Sequence, residues 1–363
     1  MQRVLLSLLF LSAVGGALNG PLLGRAADPV PDTSDAEEQT ADWLLLPFAS
    51  YAPSTKIAGG IVAGYYRPGQ PSSNLQLTLT VTQRRQLTAR VEPELYLSGE
   101  RWRVEGHLLG SKYPDVFYGI GGETPASAEE GYTARYAIVD LAAQRRLRPK
   151  LRVGPRVFVR SGSITDPDEG GRIDRGLVPG AEGGLNAGLG LSALWDGRGS
   201  IYYPRTGTYA EAEATWYSAA WGSDYTFGHL NTDLRGYRPV GLGAVAVQAY
   251  AEATFGQAPF QLLPLLGGAD RMRGYREGRF RDDVYWTIQA EYRVPLFWRL
   301  KGTVFASVGE VGPRIGADLL EGPEAAVGVG GRFRFTDDGV HGRLDAAYSR
   351  TGIELYIALG EAF

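Results

Sequence analysis

The sequence predicts an all-β fold, a transmembrane antiparallel barrel of about 16 strands. Three observations carry that reading. From Trp43 onward, apolar and polar residues alternate with a period of two. The alternating runs are roughly ten residues or longer, the length a tilted strand needs to cross a bilayer. Aromatic residues recur near the run ends, at Trp43, Tyr65, Tyr66, Trp216 and Trp298, where interfacial girdles sit.

The chain opens differently. Met1-Gln2-Arg3 is short and basic, and Val4 to Val14 is almost wholly apolar but too short to span a bilayer comfortably. Gly24-Arg25-Ala26 then leads into Ala27-Asp28. This pattern predicts a secretory signal peptide over 1–26, with cleavage near Ala26 or Ala27 and Ala17 as second choice. An uncleaved N-terminal anchor is the alternative. Residues 27–42 are acidic and polar, with Pro29 and Pro31, and are read as a flexible periplasmic tail. That tail is too short to form a periplasmic domain. The barrel domain is expected over 43–363.

Sixteen runs follow in order, over 43–51, 57–66, 74–82, 88–98, 101–111, 132–145, 149–161, 183–195, 206–218, 223–236, 241–256, 283–295, 299–309, 322–335, 340–349 and 353–363. The first departs from strict alternation, because Trp43 to Pro47 is nearly continuous apolar sequence. In the third, Leu75, Leu77, Leu79 and Val81 alternate with Gln76, Thr78, Thr80 and Thr82. In the fifth, Trp102, Val104 and Leu108 alternate with Arg103, Glu105 and His107. In the twelfth, Trp286, Ile288, Ala290, Tyr292 and Val294 alternate with Thr287, Gln289, Glu291 and Arg293. In the fifteenth, Leu344, Ala346 and Tyr348 alternate with Arg343, Asp345 and Ser349. A soluble sandwich also has one apolar and one polar face. Its strands, however, are about half as long.

The connections set the orientation. One alternate set is mostly short: Gly99-Glu100, Arg146 to Pro149, Tyr237 to Val240, Pro295 to Trp298 and Thr336 to Val340. The other includes Ser111 to Gly131, Gly162 to Glu182 and Gln257 to Asp282. Short turns face the periplasm and long loops face outward, so both termini are periplasmic. Phe363 falls on the lipid-facing parity of the last run, with Ile353, Leu355, Ile357 and Leu359.

Other classes find little support. Hydrophobic residues at 44% and charged residues at 21% exclude a disordered chain and a helical membrane protein. The absence of cysteine excludes disulfides, zinc ribbons and thiol nucleophiles. A net charge of −3 gives no electrostatic reason to expect nucleic acid. His107, His229 and His341 lie on separate runs with no metal spacing, and His107, mid-strand beside Glu105 and Arg103, reads as a lumen polar residue rather than half of a Ser-His pair at the barrel rim. Gly119-Ile120-Gly121-Gly122 lacks the strand-to-helix setting of a phosphate loop. Asp166-Pro167-Asp168-Glu169 lacks the full ligand pattern of a calcium loop. No enzyme activity, cofactor or metal is expected.

The longest outer loop carries Met272-Arg273-Gly274-Tyr275, and Glu291-Tyr292-Arg293-Val294-Pro295-Leu296 follows it. Phe117-Tyr118-Gly119-Ile120-Gly121-Gly122 comes earlier, as do Gly188-Leu189-Gly190-Leu191, Asp196 and Pro204-Arg205-Thr206-Gly207. In this order, and with the terminal phenylalanine, the segments resemble the bacterial surface antigen family, the BamA/TamA-like outer-membrane assembly barrels. The resemblance covers Trp43 to Phe363 and implies a short form without POTRA domains. It also implies that the sixth outer loop folds into the lumen. There the loop arginine binds inward carboxylates on the next two strands. Carried over, the loop lock comprises Arg273, Gly274, Tyr275 and Glu291, with Ser307 where the family usually places aspartate. Ser307 has lumen parity and is expected to accept a hydrogen bond. Asp345 shares that parity and is a second candidate acceptor. Arginines in a confined lumen need carboxylate partners in any case; in a solvated loop they would bind nothing fixed.

Gly59 and Gly60, with Gly328, Gly330 and Gly331, weaken strand pairing near the two ends of the barrel. They mark either close backbone approach beside the packed loop or a weak seam between the first and last strands. The resemblance implies a role in outer-membrane protein assembly or insertion, with outer-membrane lipids, nascent outer-membrane proteins and periplasmic chaperones as partners. The alternative is a passive pore or structural surface barrel.

Overall fold

The computed structural model describes residues 42–66, 73–335 and 341–363. The signal peptide expected over 1–26 and nearly all of the tail lie outside the described residues. So do the turn from Thr336 to Val340 and the side chain of Trp43.

Sixteen antiparallel strands close into one barrel. They are β1 (Asp42–Ala52), β2 (Lys56–Tyr66), β3 (Asn74–Thr82), β4 (Leu87–Leu97), β5 (Trp102–Phe117), β6 (Glu130–Arg148), β7 (Leu151–Thr165) and β8 (Gly183–Asp196). Then come β9 (Gly207–Tyr217), β10 (Phe227–Val240), β11 (Gly243–Gly256), β12 (Val284–Phe297), β13 (Leu300–Gly312), β14 (Glu324–Arg334), β15 (His341–Ser349) and β16 (Gly352–Leu359). Each strand pairs with its sequence neighbours, and β16 returns to β1.

The period of two produces two unlike surfaces. On β12, Thr287, Gln289, Glu291 and Arg293 are buried inside, while Ile288 is 47% exposed and Trp286 and Tyr292 share its outward parity. Leu75, Leu77, Leu79 and Val81 on β3 also face out, with Gln76 and Thr80 inside. Val327 and Val329 on β14 and Ile353 and Leu355 on β16 extend the apolar belt to the last strands. So large an exposed apolar band requires lipid around it.

Several strands run further than the alternation indicates. β5 and β6 remain paired out to Phe117↔Glu130, and β7 extends to Thr165. Backbone pairing continues above the membrane, where side chains no longer need to alternate. There the outer ends are capped by an apolar cluster of Phe117, Tyr132, Ile173, Val178, Tyr217, Phe227, Phe260 and Leu263. Phe260 and Leu263 start the long sixth outer loop, so the cluster fixes where that loop begins.

The closure between β16 and β1 is slight. Among the described residues its register has one pair, Tyr51↔Ile357, whereas β15 and β16 pair continuously from Gly342↔Leu359 to Ser349↔Gly352. β16 stops at Leu359, short of the expected 363. Gly360 has φ +71 and donates its N–H to His341 O at 2.9 Å. Such a φ suits glycine and breaks the alternation. Glu361 then meets buried cations, and Phe363 is buried against Tyr237 and Ala246. Phe363 therefore does not face lipid; past Gly360 the strand parity no longer applies.

Candidate functional site

The sixth outer loop leaves β11 through the apolar cap. It narrows at a two-residue ladder, Leu265–Leu266 against Phe280–Arg281. The tip between them meets side chains on the inner face of β12 to β16.

Arg273 is 1% exposed. Its Nη1 donates to Asp345 Oδ2 at 2.7 Å, and its Nη2 donates to Glu291 Oε1. The guanidinium lies 3.6 Å from the centre of the Phe305 ring. Two carboxylates and an aromatic face thus surround one buried cation, the arrangement a desolvated guanidinium requires.

Gly274 is held through its backbone. Its N–H donates to the Tyr356 hydroxyl at 2.9 Å, and its carbonyl accepts from Ser349 Oγ at 2.7 Å and Thr351 Oγ1 at 3.1 Å. Its φ is +112, and a Cβ there would sit 3.1 Å from Ala326 Cβ. Both the conformation and the close approach call for glycine. Tyr275 is fully buried and donates its hydroxyl to Glu324 Oε2 at 2.6 Å. It packs with Leu266, Met272, Tyr250, Phe280 and Tyr285.

The other loop cations are also anchored. Arg276 donates to Asp115 Oδ1 at 2.6 Å, Arg279 to Thr124 O at 2.7 Å and Arg281 to Phe260 O at 3.1 Å. Arg271 lies 3.7 Å from the Tyr250 ring centre. Asp270 reverses the polarity, accepting from Arg343 Nη2 at 2.7 Å.

Beneath the tip the charges continue toward the periplasm. Glu291 also accepts from Arg293 Nε at 2.9 Å, and Asp345 from Arg332 Nη1 at 2.5 Å. Arg332 Nε donates to Glu361 Oε2 at 2.8 Å, and His341 Nε2 lies 2.8 Å from Glu361 Oε1. A connected ionic ladder therefore runs from Arg273 to Glu361. Tyr203, in the β8–β9 turn, ends it: its ring packs edge-on to His341 at 5.7 Å and under Lys301 Nζ at 3.0 Å.

Arg273, Gly274, Tyr275 and Glu291 thus lie in one constellation. Ser307 does not join it. Its side chain faces inward, but its hydroxyl has no hydrogen-bond partner among the described residues. Ser307 pairs with Gln289, while Phe305 pairs with Glu291, so Ser307 stands one inward step nearer the outer end. The second carboxylate is instead Asp345, on β15. The alternation places Phe305 and Asp345 on the inner face, but nothing in the sequence specifies their contacts. Two glycines admit them. A Cβ on Gly328 would lie 2.2 Å from the Phe305 ring, and one on Gly330 would lie 2.0 Å from Asp345 Oδ1. Gly60 is similarly crowded, by Leu79 O and Phe48.

The three histidines are apart, each beside a carboxylate: His107 with Glu92, His229 with Glu252, His341 with Glu361. Among the described residues no cluster of His, Asp and Glu is suited to a metal ion.

A closed sixteen-stranded barrel with an apolar exterior and an ionic interior defines a bacterial outer-membrane protein. Residues 62–336 match the Omp85 superfamily domain, and the chain belongs to that superfamily of non-enzymatic barrels. No curated protein matches the sequence. Among solved structures, the fold is similar to BamA from Haemophilus ducreyi lacking POTRA domains 1–3. The TM-score is 0.64 at 11% identity, covering 89% of this chain and 70% of that one. CdiB from Escherichia coli gives 0.59 at 12% identity, covering 88% and 63%. CdiB from Acinetobacter baumannii gives 0.56 at 11% identity, covering 87% and 59%. The chain thus spans 59–70% of the length of these structures.

Proposed function

We propose that this barrel assists the folding and insertion of outer-membrane proteins, with its sixth outer loop locked inside the lumen. The seam carries the proposal. With Tyr51↔Ile357 as its one registered pair among the described residues, the periplasmic half of β1 has no registered partner on β16 there. Such an edge is a template for an incoming strand. The ionic anchor of Arg273 favours this reading by fixing the inner wall of β12 to β15 while the seam beside it stays weak. The clients are unfolded outer-membrane barrels, delivered by periplasmic chaperones.

The passive-pore reading is disfavoured by the tip contacts above and by Tyr203 and Phe363 below, which pack against His341 and Tyr237 on the inner side. The test is reconstitution in liposomes with an unfolded eight-stranded barrel as client, followed by heat-modified gel mobility. The proposal expects faster client folding than in empty liposomes. Equal rates would overturn it.

A further inference from the structure

A second surface lies at the periplasmic foot of β4 to β7. The β4–β5 turn and the β6–β7 hairpin bring together Arg101, Arg145, Arg146, Arg148, Lys150 and Arg152 around the carboxylate of Glu100; Asp196, next to Lys150 on β8, is taken by Arg198. Three of these cations are spent on the turns. Arg101 Nε donates to Ser98 O at 3.1 Å, Arg146 Nη2 to Gly99 O at 3.2 Å and Arg152 Nη1 to Glu100 O at 3.1 Å. Arg146 also takes the Glu100 carboxylate, at 3.5 Å. Arg145, Arg148 and Lys150 are exposed and form no salt bridge among the described residues.

The position of Arg145 is the informative one. Cross-strand pairs run Leu97↔Trp102, Trp102↔Arg145 and Arg145↔Val153. Arg145 therefore stands in an outward row of apolar and aromatic side chains, with Leu147 next on the same parity. A cation in that row faces the lipid boundary. It extends to the headgroup level while its stem lies along apolar surface.

We propose that this foot is a binding site for an anionic glycerophospholipid of the inner leaflet. Arg145 and Arg148 hold the phosphodiester, Leu97, Trp102 and Leu147 lie against the glycerol and upper acyl chains, and Lys150, whose ammonium lies beside Gly197 beyond β7, adds charge from the other side. The fork of Arg145 matches a phosphate oxygen pair, and Lys150 adds a point charge. A soluble acidic partner would meet Arg148 and Lys150 but would have to enter the apolar row to reach Arg145.

The test uses the full chain in vesicles of phosphatidylcholine with spin-labelled phosphatidylglycerol or spin-labelled phosphatidylcholine as probe. Electron spin resonance reads which lipid is enriched at the protein boundary. Phosphatidylglycerol should be enriched at least ~3-fold at low salt, and less as salt screens the exposed cations. The R145Q/R148Q/K150Q variant, verified as folded by heat-modified mobility, should lose the preference. Equal boundary populations in the native protein would overturn the proposal, as would an enrichment that survives the triple substitution. Enrichment that emerges only after deletion of 28–41 would also overturn it, showing that the chain's own acidic segment covers the foot.

Discussion

Arg273 is the residue on which the loop geometry turns. Its guanidinium is out of water, so each carboxylate it loses leaves an uncompensated charge. Removing one partner of a dry buried pair costs about 3–5 kcal/mol. Arg273→Ala and Glu291→Gln should each raise protease cleavage between Gln257 and Asp282 in intact outer membranes. Because they act on one contact, the double variant should be little worse than either single one. Simple additivity would mean that the two are not partners. Asp345→Asn should match Glu291→Gln, since Asp345 supplies the other half of the fork. Glu277, in the same loop, adds a pH dependence. Burial pushes its carboxyl from 4.5 up to about 8; the charges of Asp115 and Asp270 act in the same direction, and those of Arg271 and Arg276 oppose them. A raised folded pKa means that ionisation opposes the docked loop. The Glu277 contribution to docking is fully present below about 4.5 and is lost as pH rises toward about 8. Hydrogen exchange of the loop should show that slope, and Glu277→Gln should flatten it.

At the scale of elements, the last strand and the segment beyond it behave differently. β16 ends where Gly360 takes a positive φ, and Glu361 secures the inward turn through Arg332 and His341. Gly360→Ala would strain that turn, and Glu361→Gln would leave Arg332 short of a partner. Both should expose Ala362 and Phe363 to carboxypeptidase in detergent, while the native chain resists; a native tail trimmed as fast as the variants would remove the inward turn from the account. The strands themselves were legible in the sequence, because one face must meet lipid and the other must not. Their outer ends were not, since Lys112 to Phe117 pair without needing to alternate. The last residues were misread for a related reason: parity counted past Gly360 assumes a backbone that glycine there does not keep. The anchor was partly legible. Lumen parity marked Glu291 and Asp345, but joining Arg273 to Asp345 spans 72 positions, and only the folded barrel brings them together. Ser307 failed as a partner because facing inward does not place a short side chain at the right height.

Across the whole molecule, the ionic ladder from Arg273 to Glu361 links the outer loop to the periplasmic turn carrying Tyr203. Open barrels of this strand number leave an aqueous channel. This one should show no steady porin-like conductance in planar bilayers, and Arg273→Ala should introduce openings; a native barrel that conducts steadily would contradict a filled lumen. The seam bears the functional claim and can be closed by design. The chain has no cysteine, so Tyr51→Cys with Ile357→Cys adds a single pair across the β1–β16 closure. The decisive measurement is the client-folding rate in liposomes with that pair oxidised and then reduced. The oxidised protein should perform no better than empty liposomes, and reductant should restore the acceleration. A stapled barrel that folds its client as fast as the reduced one would contradict the functional claim.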